Sequence, residues 1–599
     1  MGRATRLSIA VTAAALAATL PAPVAHAETA GFSVQTLHFD TTVGPDGGRH
    51  CDVEGDLYTP TGSSADRPAP AILTTHGFGQ TKDAQRPTAE FLAGRGYVVL
   101  AYSGLGFGGS GCKVTLDSPD PDGRAAQDLV SFLGGADGIA YRDAAHTQPV
   151  PGLDLVVRDE IAHDGRALPN DPRVGMIGGS YGGAVQFAAA SVDPRIDTIV
   201  PMITWNDLSY SLAPNSATAG AGVSSAVPGA TKSSWGLLFS AAGVTAPGVD
   251  GYRGDPTKLV GCPNFADQTC KVLVTAMARG FGDPAAVRFL RSASVVSYVD
   301  RIHVPVLLIQ GEEDTLFNLN EARATFDALR GQGTEVAMIW QRLGHSSEGL
   351  RTGFARRPDP DTQYPTRRYL DWFDRHLRGA SVDVAPAFAY ERGWAADPSD
   401  PGRAFANAAG PDVGTAFALH LSDGGRLTTD PATIRPGTQS LRTPPAGLVD
   451  GATPSNLSVP PGPRPEQQPA GGIAQWTADP QAEPLDVVGA PTLDLEVSTS
   501  APVTGPADAP VLFVKLYDVA PDGAATLVNG QVAPVRIVEP GRPVRVTLPA
   551  IVHRFDTGHR VRVAVAGSDS NFRGGLVPHQ VSIPAGDPAR QLVLPTVAN

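Results

Sequence analysis

The sequence predicts an α/β core built on a mostly parallel sheet, with a helical cap insertion, followed by a C-terminal all-β sandwich. Three observations lead there. From Ala30 to about Gly379 short apolar runs alternate with helical stretches, the pattern of a parallel sheet covered on both faces. From about Trp205 to Tyr298 that alternation is interrupted. Beyond about Ala385 it gives way to short period-two runs between Gly, Pro and Asp turns. A chain of 599 residues also exceeds the roughly 250–300 at which a single core stops growing, so at least two domains are expected. The division read from these shifts is a leader at 1–27, an α/β domain at 28–382 with its cap at about 205–298, and a β domain at 383–599.

The elements follow in order. Met1 to Ala27 reads as a secretory signal: Arg3 and Arg6 precede a mostly Ala, Val, Leu and Ile stretch, and Ala25-His26-Ala27 fits a small-x-small cleavage site. A retained membrane helix is the competing reading, and the apolar run is short for it. Strands are expected at Ala71–Thr75, Tyr97–Ala101, Val174–Gly178, Ile196–Val200, Val304–Ile309 and Val336–Trp340. Helices are expected at Thr88–Ala93, Gly123–Phe132 and Gly182–Ala190, and a closing amphipathic helix at Tyr364–Leu377 stops at Gly379. Residues 138–171 form a long connection, read as a second lid element. In the last third, Leu493–Val497, Leu512–Tyr517 and Val561–Val565 alternate most clearly, and Pro444–Pro469 reads as a surface connection.

Composition narrows the function classes. The formal net charge of −13 excludes a generally basic nucleic-acid-binding surface, and no later apolar run suggests integral membrane association. All four cysteines follow the leader, and an even count in an exported chain favours two disulfides. Cys262 and Cys270 close a short loop; by elimination Cys51 would join Cys112, although four cysteines allow three connectivities. A thiolate zinc site lacks any C-x-x-C.

The sharpest local signal is Gly178-Gly-Ser180-Tyr-Gly182, lying between an expected strand and an expected helix. G-x-S-x-G in that setting holds a serine on a tight elbow, with the helix N-terminus supplying N–H groups and positive dipole beside the hydroxyl. Such a serine needs a base, and the base needs an orienting acid, in the chain order serine, acid, histidine. Asp314, just past Val304–Ile309, is the candidate acid, with Glu312 and Glu313 as local rivals. His345, after the next strand, is the candidate base in preference to His76, His303 and His376. Oxyanion donors are expected from the Tyr181 N–H and from His76-Gly-Phe-Gly79, with Phe78 N–H the candidate and Gly77 N–H its alternative. GFGGSG at 106–111 lacks a dinucleotide context, and neither a Walker lysine-serine pair nor H-E-x-x-H occurs, so no cofactor or metal is expected.

DPRVGMIGGSYGG, PMITWNDLSYSLAP, VPVLLIQGEEDTLF, GHSS and VLFVKLYDVAPDG together give a chain that resembles the family of X-Pro dipeptidyl-peptidases and cocaine-esterase-like acyl hydrolases. The resemblance implies an α/β-hydrolase core, a helical cap and a C-terminal jelly-roll-like sandwich, with Ser180, Asp314 and His345 in the catalytic roles. Two departures stand out. Family members often place a tyrosine hydroxyl in the loop where this chain has Phe78, and an Asp-x-Arg-Gly pattern where it has Ala101-Tyr-Ser-Gly104. The expectation is a secreted serine hydrolase acting on a small peptide or ester through an acyl-enzyme, foremost as an X-Pro dipeptidyl-peptidase and alternatively as a carboxylesterase. A carbohydrate- or surface-binding protein built on the sandwich is the non-enzymatic alternative. Oligomeric state is left open.

Overall fold

The computed structural model describes residues 31–44, 47–217, 223, 227–345, 357–397, 399–445 and 471–598. The expected leader and most of the Pro444–Pro469 connection lie outside them.

Twelve strands form the first sheet: β1 (Phe32–Val43), β2 (Arg49–Pro60), β3 (Ala71–Thr75), β4 (Val98–Tyr102), β5 (Ala140–Tyr141), β6 (Pro149–Val150), β7 (Val174–Gly179), β8 (Ile196–Met202), β9 (Val306–Gly311), β10 (Val336–Gln341), β11 (Phe388–Glu391) and β12 (Phe405–Ala408). Their spatial order is β12-β11-β10-β9-β8-β7-β3-β4-β2-β1-β5-β6. The run from β11 to β4 is parallel and both ends are antiparallel. In β9 the residues alternate strictly between two cores. Val306 and Leu308 pack on the face covered by α2 (Arg124–Leu133), α3 (Tyr181–Ala190) and α9 (Leu319–Gly331). Leu307 and Ile309 pack on the face covered by α1 (Arg86–Ala93) and α10 (Tyr364–Arg378). An uninterrupted apolar strand is what burial on both faces requires.

Between β8 and β9 the chain builds the helices α4 (Leu208–Leu212), α5 (Ser233–Thr245), α6 (Gly248–Gly254), α7 (Asp267–Arg279) and α8 (Pro284–Ser292). Asp207 fastens their base: one carboxylate oxygen accepts from Ser209 N–H at 2.9 Å and the other from Arg291 Nε at 2.9 Å. Trp205 Nε1 donates to the Ala293 carbonyl at 2.8 Å, tying the two ends of the insertion together.

A distinct all-β domain follows. Among the described residues it has an 11-stranded sheet and a three-stranded sheet, antiparallel throughout except for one bridge between Arg426 and Thr477. Leu421, Trp476, Leu493, Val514, Val563 and Leu592 lie in its core. This domain docks on the insertion and on α9. Arg536 donates to the Gly229 carbonyl at 2.9 Å, and Asn320 exchanges bonds with the Leu548 carbonyl and the Ala550 N–H.

Two sequence expectations are corrected. Phe388–Glu391 and Phe405–Ala408 pair into the first sheet, so the boundary placed at 382–383 falls inside that sheet. Four-residue strands carry too little periodicity to be assigned to one sheet or the other. Residues 138–171 are not a lid: β5 and β6 extend the β1 edge, and Ala69 and Arg173 bond the Leu155–Val157 backbone.

Candidate active site

Ser180 stands between β7 and α3 with φ 59° and ψ −118°, a conformation that costs a non-glycine residue energy and that its surroundings must enforce. They do so by crowding. A Cβ on Gly178 would lie 2.6 Å from the Gly182 carbonyl, and one on Gly182 only 2.2 Å from the Thr75 carbonyl. The two small positions of the motif therefore let β3, β7 and α3 meet. Buried Gln186 locks the turn: its Nε2 donates to the Gly182 carbonyl at 2.8 Å and its Oε1 accepts from Val200 N–H at 3.0 Å.

Two distant loops converge on this elbow. His345 Nε2 lies 2.7 Å from Ser180 Oγ, and its Nδ1 lies 2.6 Å from Asp314 Oδ2. The other oxygen of Asp314 accepts from Leu316 N–H at 2.9 Å and Phe317 N–H at 2.8 Å, so the carboxylate is fixed as an acceptor toward the ring. Trp235 and Phe317 meet the imidazole edge-on at centroid distances of 6.0 and 5.1 Å.

The rivals are placed elsewhere. Glu312 is buried toward β11, where it accepts from Glu391 N–H, and burial holds its carboxyl well above the usual carboxylate range. Glu313 faces Arg342. His303 is exposed, and His376 packs on Trp372 in α10. His76 is wholly buried: its Nε2 accepts from Gly104 N–H at 3.0 Å, so Nδ1 carries the hydrogen donated to the Gly77 carbonyl at 2.8 Å. Burial lowers its pKa to about 4, which makes it a neutral brace beneath the Gly77–Phe78 turn.

Tyr181 follows Ser180 at the first position of α3, where a helix leaves its N–H without an intrahelical partner. Phe78 brings its ring against Phe107, Tyr181 and Phe239, all at 5.1 to 5.4 Å. An apolar box thus stands where a side-chain hydroxyl donor would need a polar one. The cysteines pair as Cys51–Cys112 and Cys262–Cys270.

Sequence reasoning missed two residues behind the acid. Lys232, at the start of α5, donates Nζ to the Thr315 and Leu316 carbonyls, both at 2.8 Å. Burial pulls its pKa down. Gln531, from the β domain, donates Nε2 to the Asp314 carbonyl at 3.0 Å. Neither stands in a motif, and no local pattern marks a residue whose partner is a distant main-chain carbonyl.

Among the described residues no group of three or more His, Cys, Asp or Glu side chains could hold a metal ion, and no helix is long and apolar enough to cross a membrane.

Comparison with known proteins agrees with this geometry. Residues 46–347 match the model of the X-Pro dipeptidyl-peptidase (S15) family, and residues 390–587 match the X-Pro dipeptidyl-peptidase C-terminal non-catalytic domain. No curated protein matches the chain. Solved structures share the fold at low identity. An aminopeptidase from a marine sediment Thaumarchaeota archaeon is 14% identical with a TM-score of 0.60, over 94% of this chain and 96% of that one. A CocE/NonD family hydrolase from Staphylococcus aureus is 14% identical with a TM-score of 0.59, over 94% of both chains. An alpha-amino acid ester hydrolase is 16% identical with a TM-score of 0.58, over 96% and 99%. The chain belongs to the X-Pro dipeptidyl-peptidase (S15) family and is a serine hydrolase with an α/β-hydrolase core.

Proposed function

We propose that Ser180 is the nucleophile of this S15-family hydrolase, His345 its general base and Asp314 the acid that orients the ring. The observation that carries this reading is the unbroken chain from Ser180 Oγ through His345 to Asp314, at 2.7 and 2.6 Å. Ser180 Oγ attacks the acyl carbonyl as Nε2 takes its proton. Tyr181 N–H and Phe78 N–H donate to the oxyanion, and the imidazolium, held by Asp314, protonates the leaving amine or alcohol. A water activated by the same ring then releases the acid and restores Ser180. Family membership supports a dipeptidyl-peptidase-like substrate, a small peptide cut after an X-Pro pair. A second reading, a carboxylesterase, is favoured by the cavity beside Ser180, whose walls among the described residues include no carboxylate to receive a substrate ammonium.

The β domain is proposed to be a jelly-roll-like sandwich on its nearly all-antiparallel pairing. Export from the cell is proposed from the leader-like first 27 residues together with two disulfides. A fluorophosphonate probe tests the nucleophile. Covalent labelling at Ser180 with loss of labelling and turnover in Ser180→Ala is expected; normal turnover by that variant overturns the assignment.

A further inference from the structure

We infer that the cavity beside Ser180 is an acyl pocket for an uncharged, hydrophobic group, so that the preferred substrates are esters or amides of neutral apolar acids rather than peptides with a free N-terminal ammonium. The inference rests on the acyl-enzyme reading above, takes its carboxylesterase alternative over the dipeptidyl-peptidase one, and adds the chemical class of the acyl group.

The cavity, about 170 Å³, runs from Ser180 and Tyr181 up between the insertion helices, with Phe239, Val272, Leu273, Ala276, Val287 and Leu290 among its walls. That volume exceeds the roughly 150 Å³ of an apolar protein cavity that binds benzene. Its position assigns it to one half of the substrate. The leaving group must depart beside the imidazole that protonates it, and among the described residues His345 does not line this cavity, whereas Ser180 and the oxyanion residues Tyr181 and Phe78 do. What enters it is therefore the acyl part.

Charge then decides what kind of acyl part. Among the described residues lining the cavity, Lys232 is the one charged side chain, a cation that already serves two carbonyls. Three of the buried acids nearby are engaged elsewhere. Asp314 holds His345, Asp207 pairs with Arg291, and Glu321 accepts from Asn206 N–H, Asp207 N–H and Ser211 Oγ. Asp117 is buried behind Tyr181 and is not among the cavity walls; its Oδ2 has no hydrogen-bond partner among the described residues, and burial, which holds its carboxyl well above the usual carboxylate range, disfavours the charge that an ammonium would need. A substrate ammonium would lose its water here, gain no carboxylate from the described walls and approach a lysine. Apolar carbon would lose nothing.

The test uses the full-length protein and p-nitrophenyl acetate, butyrate and hexanoate, beside free and N-acetylated Ala-Pro-p-nitroanilide. Each methylene that leaves water contributes about fourfold, so kcat/KM is expected to rise at least about tenfold from acetate to hexanoate. Acetylated Ala-Pro is expected to react at least as well as the free amine. Val272→Phe, which fills the cavity, is expected to lower the hexanoate-to-acetate ratio about fivefold or more. A preference for acetate, a tenfold preference for the free amine, or an unchanged ratio in Val272→Phe each overturns the inference. Fluorophosphonate labelling separates the two levels. If Ser180 is labelled while the acyl preferences fail, only the pocket assignment is wrong; if Ser180 is not labelled, the acyl-enzyme reading fails and the pocket assignment falls with it.

Discussion

Replacing Gln531 with leucine removes a single amide and keeps the volume, yet it should slow a reaction whose catalytic groups lie on another domain. Gln531 Nε2 donates to the Asp314 carbonyl at 3.0 Å, and the side chain is buried at the seam between the β domain and the acid turn. The turn beyond it supplies the Leu316 and Phe317 N–H groups that fix Asp314 Oδ1. Leucine would leave that carbonyl without this donor in a buried seam, at a cost of about 1–3 kcal/mol. If the turn relaxes to recover the bond with water, the carboxylate swings with it, and the imidazolium loses its support in the transition state. Carried wholly by the chemical step, this corresponds to a fall in kcat of roughly 5- to 150-fold. Gln531 does not line the cavity beside Ser180, so KM should stay within about twofold for a substrate whose binding precedes slow chemistry. Steady-state kinetics with a p-nitrophenyl ester, together with a denaturation curve, separates the outcomes. A folded Gln531→Leu enzyme with wild-type kcat, or one that changes KM alone, refutes the argument that the β domain positions the acid.

Lys232→Met should lower kcat further, because two carbonyls of the same turn lose a charged donor; the Gln531→Leu/Lys232→Met double variant should fall short of the product of the single effects, since both act on one turn. Asp314→Asn should lower kcat by about 10⁴ without unfolding the protein, by leaving the imidazolium without its carboxylate; a loss under tenfold would point to another acid. The pKa of His76 is depressed to about 4, so its contribution to stability is complete above pH 6.5 and is lost as pH falls through 4; with about 2.5 pKa units at stake, wild type should lose about 3 kcal/mol more than His76→Gln over that window, and parallel denaturation midpoints would refute this. The Cys51–Cys112 disulfide spans 61 residues and Cys262–Cys270 spans 8, so opening the first by paired serines should cost about 4 kcal/mol and the second about 2.5, ranked by unfolding in denaturant.

The part of the site that was legible in the sequence is the part encoded locally. Ser180 announces itself because an elbow needs Gly178 and Gly182 to let three backbones meet, a demand that falls on adjacent residues and so leaves a motif. Asp314 and His345 are legible one step further out, because a parallel sheet delivers the loops after β9 and β10 to the same edge. The strands of the parallel sheet were legible for a related reason: burial on both faces leaves short all-apolar runs bounded by turns. Phe388–Glu391 and Phe405–Ala408 were not assigned to it, since four residues at a sheet end carry no period that tells one sheet from another.

What stayed hidden shares a physical character. Lys232 and Gln531 act on main-chain carbonyls, which any residue can present, so no side-chain pattern at 314–316 names a partner at 232 or 531. The pocket is hidden likewise, because an apolar residue facing a cavity and one facing a core are the same letter; only the placement of Val272, Ala276 and Leu290 around empty volume tells them apart. The positions of Ser180, His345 and Asp314 are therefore fixed by short-range demands of the elbow and the sheet edge. The stiffness of the acid turn and the polarity of the acyl half are set instead by the insertion and the β domain. On the proposed reading, substrate class can change along this chain without moving Ser180, His345 or Asp314: among the described walls there is no carboxylate, and one introduced there would offer an ammonium a partner.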